Sequence, residues 1–234
     1  METEDMAAAR SAREPVARAL TGVELMASIR NRPSTSPVSV EDRAELSRRR
    51  DLLRAAGIPE RHMLAIRAGL TVDSWSEESQ PGVERAIATV RDGGMVCLLG
   101  PRGTGKTQLA AWLAHGCCMS MGRSALYRRW SDLLGELRHG AYTEGESEAK
   151  LVDHIARLGL LVLDELHESR GTEDEALWMG RIIDRRYGSM KPTVLVANLT
   201  PEAMAKAIGP SAWDRMCECG AVVELRGQSF RVKR

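Results

Sequence analysis

The sequence predicts an α/β protein, a parallel sheet with helices on both faces, preceded by a small all-α segment. From about residue 80 onward, segments typical of strands alternate with segments typical of helices, a pattern that indicates a doubly wound parallel sheet. The predicted strands at 160–163 and 193–197 are almost wholly apolar, as expected of strands that are covered on both faces. A glycine-rich turn at residues 100–107 joins a third predicted strand to the helix that follows it.

Residues 1–70 form the first predicted unit, a helical arm and linker with little strand character. Its predicted elements are a helix at 7–20, a short helix after Thr21, a Pro/Ser/Thr linker at 31–39 and a helix at 40–56. The first two helices carry apolar faces, including Leu25 and Ile29, that have no evident core of their own. Isolated helices this short are marginal in water. We therefore expect the arm to dock on a partner, with a loose tail or an arm that folds back on the rest of the chain as the alternatives.

Residues 71–234 form the second predicted unit, which contains the sheet. Strands are predicted at 94–99, 124–127, 160–163, 193–197 and 221–224. Helices are predicted at 106–119, 130–137, 148–158 and 172–187, with two more beginning at Pro201 and Ser211 and a polar loop at 141–148. Thr172 and Thr200 suit N-cap positions, since a threonine hydroxyl can accept a hydrogen bond from the first helical turn.

Composition excludes several classes of protein. Apolar residues make up 43% of the 234-residue chain, which does not suit a disordered or fibrous protein. A net charge of +1 provides no overall basic field for nucleic acid, so any such contact requires a local patch. The chain begins with an acidic segment that lacks a signal-peptide core, and no apolar run could span a bilayer. We therefore expect a cytoplasmic protein whose five cysteines are reduced, small core residues.

The turn GPRGTGKT, residues 100–107, fits the phosphate-binding pattern G-x-x-x-x-G-K-[ST] and has the strand before it and helix after it that this motif requires. Glycines allow successive backbone N–H groups to point inward at a phosphate beside the positive end of a helix. Lys106 adds a positive charge for the outer phosphates, and the Thr107 hydroxyl can bind Mg²⁺. The predicted ATP-binding residues are Gly100, Pro101, Arg102, Gly103, Thr104, Gly105, Lys106, Thr107 and Gln108.

Polar residues follow two further predicted strands. Asp164 and Glu165 come directly after the apolar run in LGLLVLDELHE, and Asn198 follows the one in PTVLVANLT. Ligands of open α/β sheets bind at the carboxyl ends of the strands. Asp164 is therefore predicted to hold Mg²⁺ and Glu165 to polarise the attacking water. Asn198 either bonds the terminal phosphate or the water, or only caps a turn.

These features together resemble the DnaC/IstB-like branch of AAA+ ATPases. The likeness extends from about residue 50 to the end and includes the P-loop, the Asp–Glu pair, "AAGIPERHM" at 55–63 and "IIDRRYGSMKPTVLVANLTPE" at 182–202. The resemblance implies an AAA+ sheet, Mg²⁺-dependent ATP hydrolysis and assembly of several copies. No lid domain is expected, because the chain ends soon after the last strand.

The resemblance also implies roles for individual residues. Asn198 becomes sensor 1, and "SAWDRM" at 211–216 resembles the segment that carries the arginine finger, which would be Arg215. Arg231 in "GQSFRVKR" occupies the place of sensor 2. Arg185 and Arg186 serve the same subunit interface or else form surface ion pairs.

Two functions exist within this family. Helicase loaders grip a replicative hexameric helicase with an N-terminal arm and help to place it on single-stranded DNA, whereas IstB-like proteins assist a transposase on duplex DNA. The helical arm and the segment after the Asp–Glu pair favour the loader. A third alternative, a nucleotide switch without turnover, fits less well because Lys106, Asp164 and Glu165 are all present.

A local patch could contact single-stranded DNA. Arg128, Arg129 and Arg138 lie near the aromatic residues Tyr127 and Trp130, and arginines beside aromatic rings can bind phosphates and stack bases. The alternative is an ordinary amphipathic helix with Trp130 in the core and solvated arginines.

Overall fold

The structure is a computed structural model that describes residues 40–142, 148–166 and 172–227. These residues belong to one compact unit, Val38–Arg234. The first two predicted helices of the arm, the linker at 31–39 and Arg231 lie outside the described residues. Among the helices that are described, none has the length and apolar character needed to cross a membrane.

Five parallel strands form the sheet, in the order β2-β3-β4-β1-β5. The strands are β1 (Met95–Leu99), β2 (Ala125–Arg129), β3 (Leu160–Asp164), β4 (Thr193–Val196) and β5 (Gly220–Glu224). All residues of the central strands β1, β3 and β4 are buried, which accounts for their apolar sequences. The predicted α/β fold class is therefore confirmed.

Helices connect the strands and cover both faces of the sheet. In the described part of the chain they are α1 (Val40–Ala55), α2 (Glu60–Arg67), α3 (Gln80–Arg91), α4 (Lys106–Met119), α5 (Trp130–Tyr142), α6 (Glu148–Arg157), α7 (Glu173–Gly188), α8 (Pro201–Ile208) and α9 (Pro210–Cys219). Thr172 and Thr200 cap α7 and α8 as predicted, because their hydroxyl oxygens accept from Glu175 N and Ala203 N.

Two elements end more than one residue away from their predicted ends. Strand β2 continues to Arg129 because it pairs with β3 up to the register Arg129↔Asp164. Helix α5 continues to Tyr142, into the segment that was predicted to be a polar loop. The rest of that loop, 143–147, lies outside the described residues.

Helices α1 and α2 pack on α4 and so belong to the sheet-containing unit, whereas the sequence grouped residues 40–70 with the arm. Helix α1 has no buried residue and is attached through arginines. Arg49 Nη1 donates to Met119 O at 2.9 Å, and Arg48 Nη2 donates to Gly122 O at 3.2 Å. Guanidinium groups suit the carboxyl end of a helix such as α4, where unpaired carbonyls carry partial negative charge.

Arg186 is fully buried on α7, so the interface and surface ion-pair roles predicted for it are both wrong. Its guanidinium donates to Ile155 O at 2.6 Å, Pro192 O at 2.6 Å and Thr193 Oγ1 at 2.8 Å. Burial lowers the pKa of Arg186 to about 9. Arg186 thus fastens α6 and α7 to the start of β4. Its neighbour Arg185 is exposed and pairs with Asp153.

The cysteines fall into two groups. Cys97, Cys117 and Cys118 are buried, as expected of small core residues, whereas Cys217 and Cys219 are exposed on α9. The prediction that all five are core residues is therefore wrong for this pair. No cluster of potential metal-ligating side chains occurs within residues 40–142, 148–166 and 172–227.

Candidate functional site

The glycine-rich turn between β1 and α4 has the backbone geometry that its sequence predicts. Gly100, Gly103 and Gly105 have φ of 122°, 91° and 90°, in the region that strongly favours glycine. A Cβ at Gly100 would lie 2.4 Å from Leu225 O, so this position also lacks space for a side chain. Gly105 is the N-cap of α4, so the turn leads directly into the positive end of that helix.

Lys106 lies within this turn. Its Nζ donates to Gly100 O at 2.8 Å and to Pro101 O at 2.6 Å. Burial lowers the pKa of Lys106 to about 8, against the opposing effect of the Asp164 carboxylate. Thr104 Oγ1 also donates to Pro101 O, at 3.0 Å. The ammonium group is therefore held inside the concave face of the turn, where it can meet phosphate.

Asp164, the last residue of β3, is buried and accepts two hydrogen bonds. Glu165 N donates to its Oδ1 at 2.8 Å, and the Tyr127 hydroxyl donates to its Oδ2. Burial and the nearby Asp164 raise the pKa of Tyr127 well above its usual value, so this hydroxyl remains a donor. The carboxylate is thereby fixed beside Lys106.

Glu165 follows with φ of 61°, an uncommon backbone conformation for a residue other than glycine. Its Oε2 lies 3.1 Å from Arg129 Nε, and its side chain is 32% exposed. Glu165 thus combines access to solvent with an ion pair that holds the carboxylate.

A cleft of about 1170 Å³ brings most of the predicted site residues together. Its lining includes the predicted residues Arg102, Gly103, Gly105, Lys106, Thr107, Gln108, Arg128, Arg129, Asp164, Glu165 and Asn198. Gly100, Pro101 and Thr104 belong to the same turn but are not among the residues that line the cleft. The side chains converge because the carboxyl ends of parallel β1, β3 and β4 meet at one edge of the sheet.

Two predicted residues lie apart from this cleft. Arg215 on α9 pairs with Asp184 at 3.0 Å, and its guanidinium carbon lies 5.8 Å from the centre of the Tyr187 ring. Arg138 pairs with Asp174 at 3.0 Å. Neither arginine lines the cleft of its own chain.

The prediction that Tyr127 and Trp130 stack on DNA bases is wrong, because these side chains are 3% and 2% exposed and present no ring to solvent. The arginines form ion pairs with acidic residues; Arg128 Nε, for example, lies 3.1 Å from Glu136 Oε1. Their contact with DNA stays a prediction.

Two features of the site were missed by the sequence analysis. His62 on α2 reaches α4, with Nδ1 2.8 Å from Gln108 Oε1, and Gln108 Nε2 donates to His62 O at 3.1 Å. His62 belongs to the family-like segment at 55–63, which was the available signal. The hydrogen bond from Tyr127 to Asp164 had no signal of its own, because it depends on the register between β2 and β3.

The residues present fit ATP and Mg²⁺. The turn offers backbone N–H groups and an ammonium to the phosphates. The Thr107 hydroxyl and the Asp164 carboxylate are oxygen ligands of the kind that Mg²⁺ prefers. Fold and site together define a P-loop ATP-binding protein.

The chain belongs to the family of IstB-like ATP binding proteins, whose family model matches residues 43–234. Among similar curated proteins is YdaV of Escherichia coli K12, which is 34% identical over 56% of this chain and 53% of its own length. The replicative helicase loader DnaC of the same strain is 32% identical over 50% and 47%. A putative ATP-binding protein of insertion sequence IS1162 from Pseudomonas fluorescens is 32% identical over 57% and 59%. The chain spans about half the length of the curated relatives it matches.

Solved structures show the same fold. The DnaC helicase loader superposes with a TM-score of 0.58 at 22% identity, over 67% of this chain and 96% of that one. DnaI gives 0.54 at 21% identity, over 78% and 93%. AMPPCP-bound DnaA from Aquifex aeolicus gives 0.56 at 19% identity, over 66% and 49%.

Proposed function

We propose that this protein is an ATP-dependent helicase loader, which hydrolyses ATP and helps to place a replicative hexameric helicase on single-stranded DNA. The observation that carries the ATPase part is the convergence of Lys106, Asp164, Glu165 and Asn198 on one cleft. The similarity to DnaC supports the loader part.

In the proposed reaction each residue has a distinct task. Lys106 neutralises the outer phosphates, and Thr107 and Asp164 hold Mg²⁺, which supplies charge stabilisation at the transferring phosphoryl group. Glu165 orients and polarises the attacking water. Asn198, at the end of β4, donates to the terminal phosphate or to that water.

Two substitutions test the chemistry. Lys106→Ala should abolish ATP binding. Glu165→Gln should keep ATP bound and lose hydrolysis, because it retains the Mg²⁺ ligands and removes only the carboxylate that polarises water. Phosphate release and nucleotide affinity are measured side by side. Hydrolysis by Glu165→Gln at the wild-type rate would show that the assignment of Glu165 is wrong.

Arg215 is proposed to act across an interface between copies of the chain, because it is absent from the lining of its own cleft. It would leave Asp184 to reach the neighbouring nucleotide. Arg215→Ala should bind ATP normally but lose stimulated hydrolysis. Mixing it with Lys106→Ala should restore part of the activity, since each variant supplies what the other lacks. Absence of rescue at every mixing ratio would exclude a finger acting in trans.

The arm is proposed to bind the helicase through apolar residues such as Leu25 and Ile29. A chain that starts at Ser39 retains almost the whole compact unit Val38–Arg234. It should therefore stay folded and hydrolyse ATP but no longer bind the helicase. Full-length chain with Leu25→Asp and Ile29→Asp should behave in the same way. Sizing with light scattering detects the complex, and calorimetric titration gives its affinity; unchanged affinity in either variant contradicts this role of the arm.

A second function, assistance of a transposase on duplex DNA, has support from the IS1162 relative. The two functions differ in their partners. A loader forms a complex with the replicative helicase from the same source, and single-stranded DNA should affect its ATPase more than duplex DNA. A transposase assistant should show the opposite DNA preference and no helicase complex.

Contact with single-stranded DNA is proposed for Arg128, Arg129 and Arg138. A phosphate would have to displace the carboxylate paired with each arginine. Charge reversal to Glu at Arg138, which lies outside the cleft lining, should weaken DNA binding and reduce its salt dependence while ATP affinity stays unchanged. If the variant binds DNA with the same affinity as the wild type, Arg138 does not contact DNA.

A further inference from the structure

Tyr127 is a buried side chain that the proposed chemistry leaves without a role. It lies in the middle of β2, the edge strand, and is 3% exposed. Its hydroxyl donates to Asp164 Oδ2. A hydroxyl on a buried ring needs a partner, but many acceptors would meet that need without involving the metal-site carboxylate.

The sheet register explains why these two residues meet. Tyr127 pairs with Val162 across the parallel ladder, and Asp164 lies two residues further along β3 on the same face. Diagonal neighbours of this kind are within reach of an aromatic side chain. The contact is therefore a consequence of the ladder and not of a mobile loop.

The position of Tyr127 is also fixed from outside the sheet. Its backbone N–H points away from β3 and donates to Ala56 O at 2.7 Å, in the turn between α1 and α2. Gly57 follows Ala56 with φ of 71°, a conformation that favours glycine, and a Cβ there would lie 3.2 Å from Tyr127 O. The same α1–α2 pair reaches α4 through His62 and Gln108. The α1–α2 pair thus contacts Tyr127, which bonds Asp164, and also Gln108, which follows Thr107.

We propose that Tyr127 is a positioning residue for Mg²⁺, and that its hydroxyl sets the orientation of the Asp164 carboxylate. A carboxylate has about four acceptor positions. Glu165 N takes one on Oδ1 and Tyr127 takes one on Oδ2, which leaves one on each oxygen for Mg²⁺ or its waters. This inference rests on the proposed role of Asp164 as a metal ligand.

The test uses full-length protein and compares the affinity for a non-hydrolysable ATP analogue with and without Mg²⁺. Tyr127→Phe keeps the buried ring and removes only the hydroxyl. It should reduce the Mg²⁺-dependent gain in affinity by about tenfold, the usual scale for loss of a group that orients a metal ligand. Its affinity without Mg²⁺ should match the wild type, which also shows that the variant is folded. Tyr187→Phe, which removes a hydroxyl away from the cleft, is the matched control and should keep the full gain.

Asp164→Asn distinguishes a wrong metal assignment for Asp164 from a wrong positioning role for Tyr127. If Asp164→Asn loses the Mg²⁺ gain and Tyr127→Phe keeps it, the positioning role of Tyr127 is overturned and the metal assignment remains. If Asp164→Asn keeps the gain, the metal assignment is overturned, and the role of Tyr127 with it. Loss of the gain in both variants, with the control unaffected, supports the proposal.

Discussion

The pKa of Lys106 leads to a measurable coupling between ATP binding and protonation. Burial lowers that pKa to about 8 in the protein without nucleotide. Phosphates placed against the ammonium favour its charged form and raise the pKa again. The charged form binds, so the affinity for ATP is full below about pH 8 and falls as the pH rises above it.

The magnitude follows from the fraction of Lys106 that is protonated. With a pKa of about 8, roughly nine-tenths is charged at pH 7 and roughly one-tenth at pH 9, so the affinity should fall about tenfold over this interval. At pH 8 about half of the molecules must take up a proton when ATP binds. The terminal phosphate of ATP is already ionised there, since its last pKa is about 6, and does not mask the effect.

Calorimetry in two buffers with different ionisation enthalpies measures this proton uptake directly. The titrations are made without Mg²⁺, so that metal binding contributes no protons. Lys106→Arg provides the matched control, because its guanidinium does not titrate in this range and its residual binding should show no uptake. A wild-type uptake near zero at pH 8, together with constant affinity from pH 7 to pH 9, would refute the reasoning.

Three further predictions concern the surroundings of the site. Gly100→Ala should weaken ATP binding at least tenfold in a titration, because its Cβ would lie 2.4 Å from Leu225 O and the turn must move. Arg129→Ala should raise basal hydrolysis about two- to fivefold at unchanged ATP affinity, since it frees Glu165 from a half-exposed ion pair that is worth about 0.5–1 kcal/mol. A slower basal rate would argue that Arg129 aids the reaction. Arg186→Met should lower the free energy of unfolding by about 3–5 kcal/mol in denaturant titrations, because several buried carbonyls lose their donor, and an unchanged midpoint would contradict this.

The sequence predicted the site better than its surroundings. GPRGTGKT has glycines, a lysine and a threonine at the spacing that phosphate binding requires, so its place between β1 and α4 could be predicted. Alternating elements gave the parallel sheet but not the strand order, because order depends on contacts between segments far apart in the chain.

Other features could not be predicted because they depend on tertiary partners. Helix α1 has no apolar face to indicate where it packs, and its arginines bind carbonyls at the end of α4 and just beyond it instead. Nothing in the sequence distinguishes buried Arg186 from exposed Arg185. The arginines predicted to bind DNA have carboxylate partners on other elements, such as Glu165 for Arg129.

The left-handed backbone at Glu165 imposes a conformational cost at the residue that is proposed to polarise water. A residue with a Cβ loses about 1–2 kcal/mol in this conformation relative to glycine, and Glu165 has φ of 61°. Replacement by glycine would relieve that backbone cost, but it would also remove the ion pair with Arg129 and the carboxylate that is proposed to polarise water. We therefore expect Glu165→Gly to fold and bind ATP but to lose the hydrolysis that is proposed for this site.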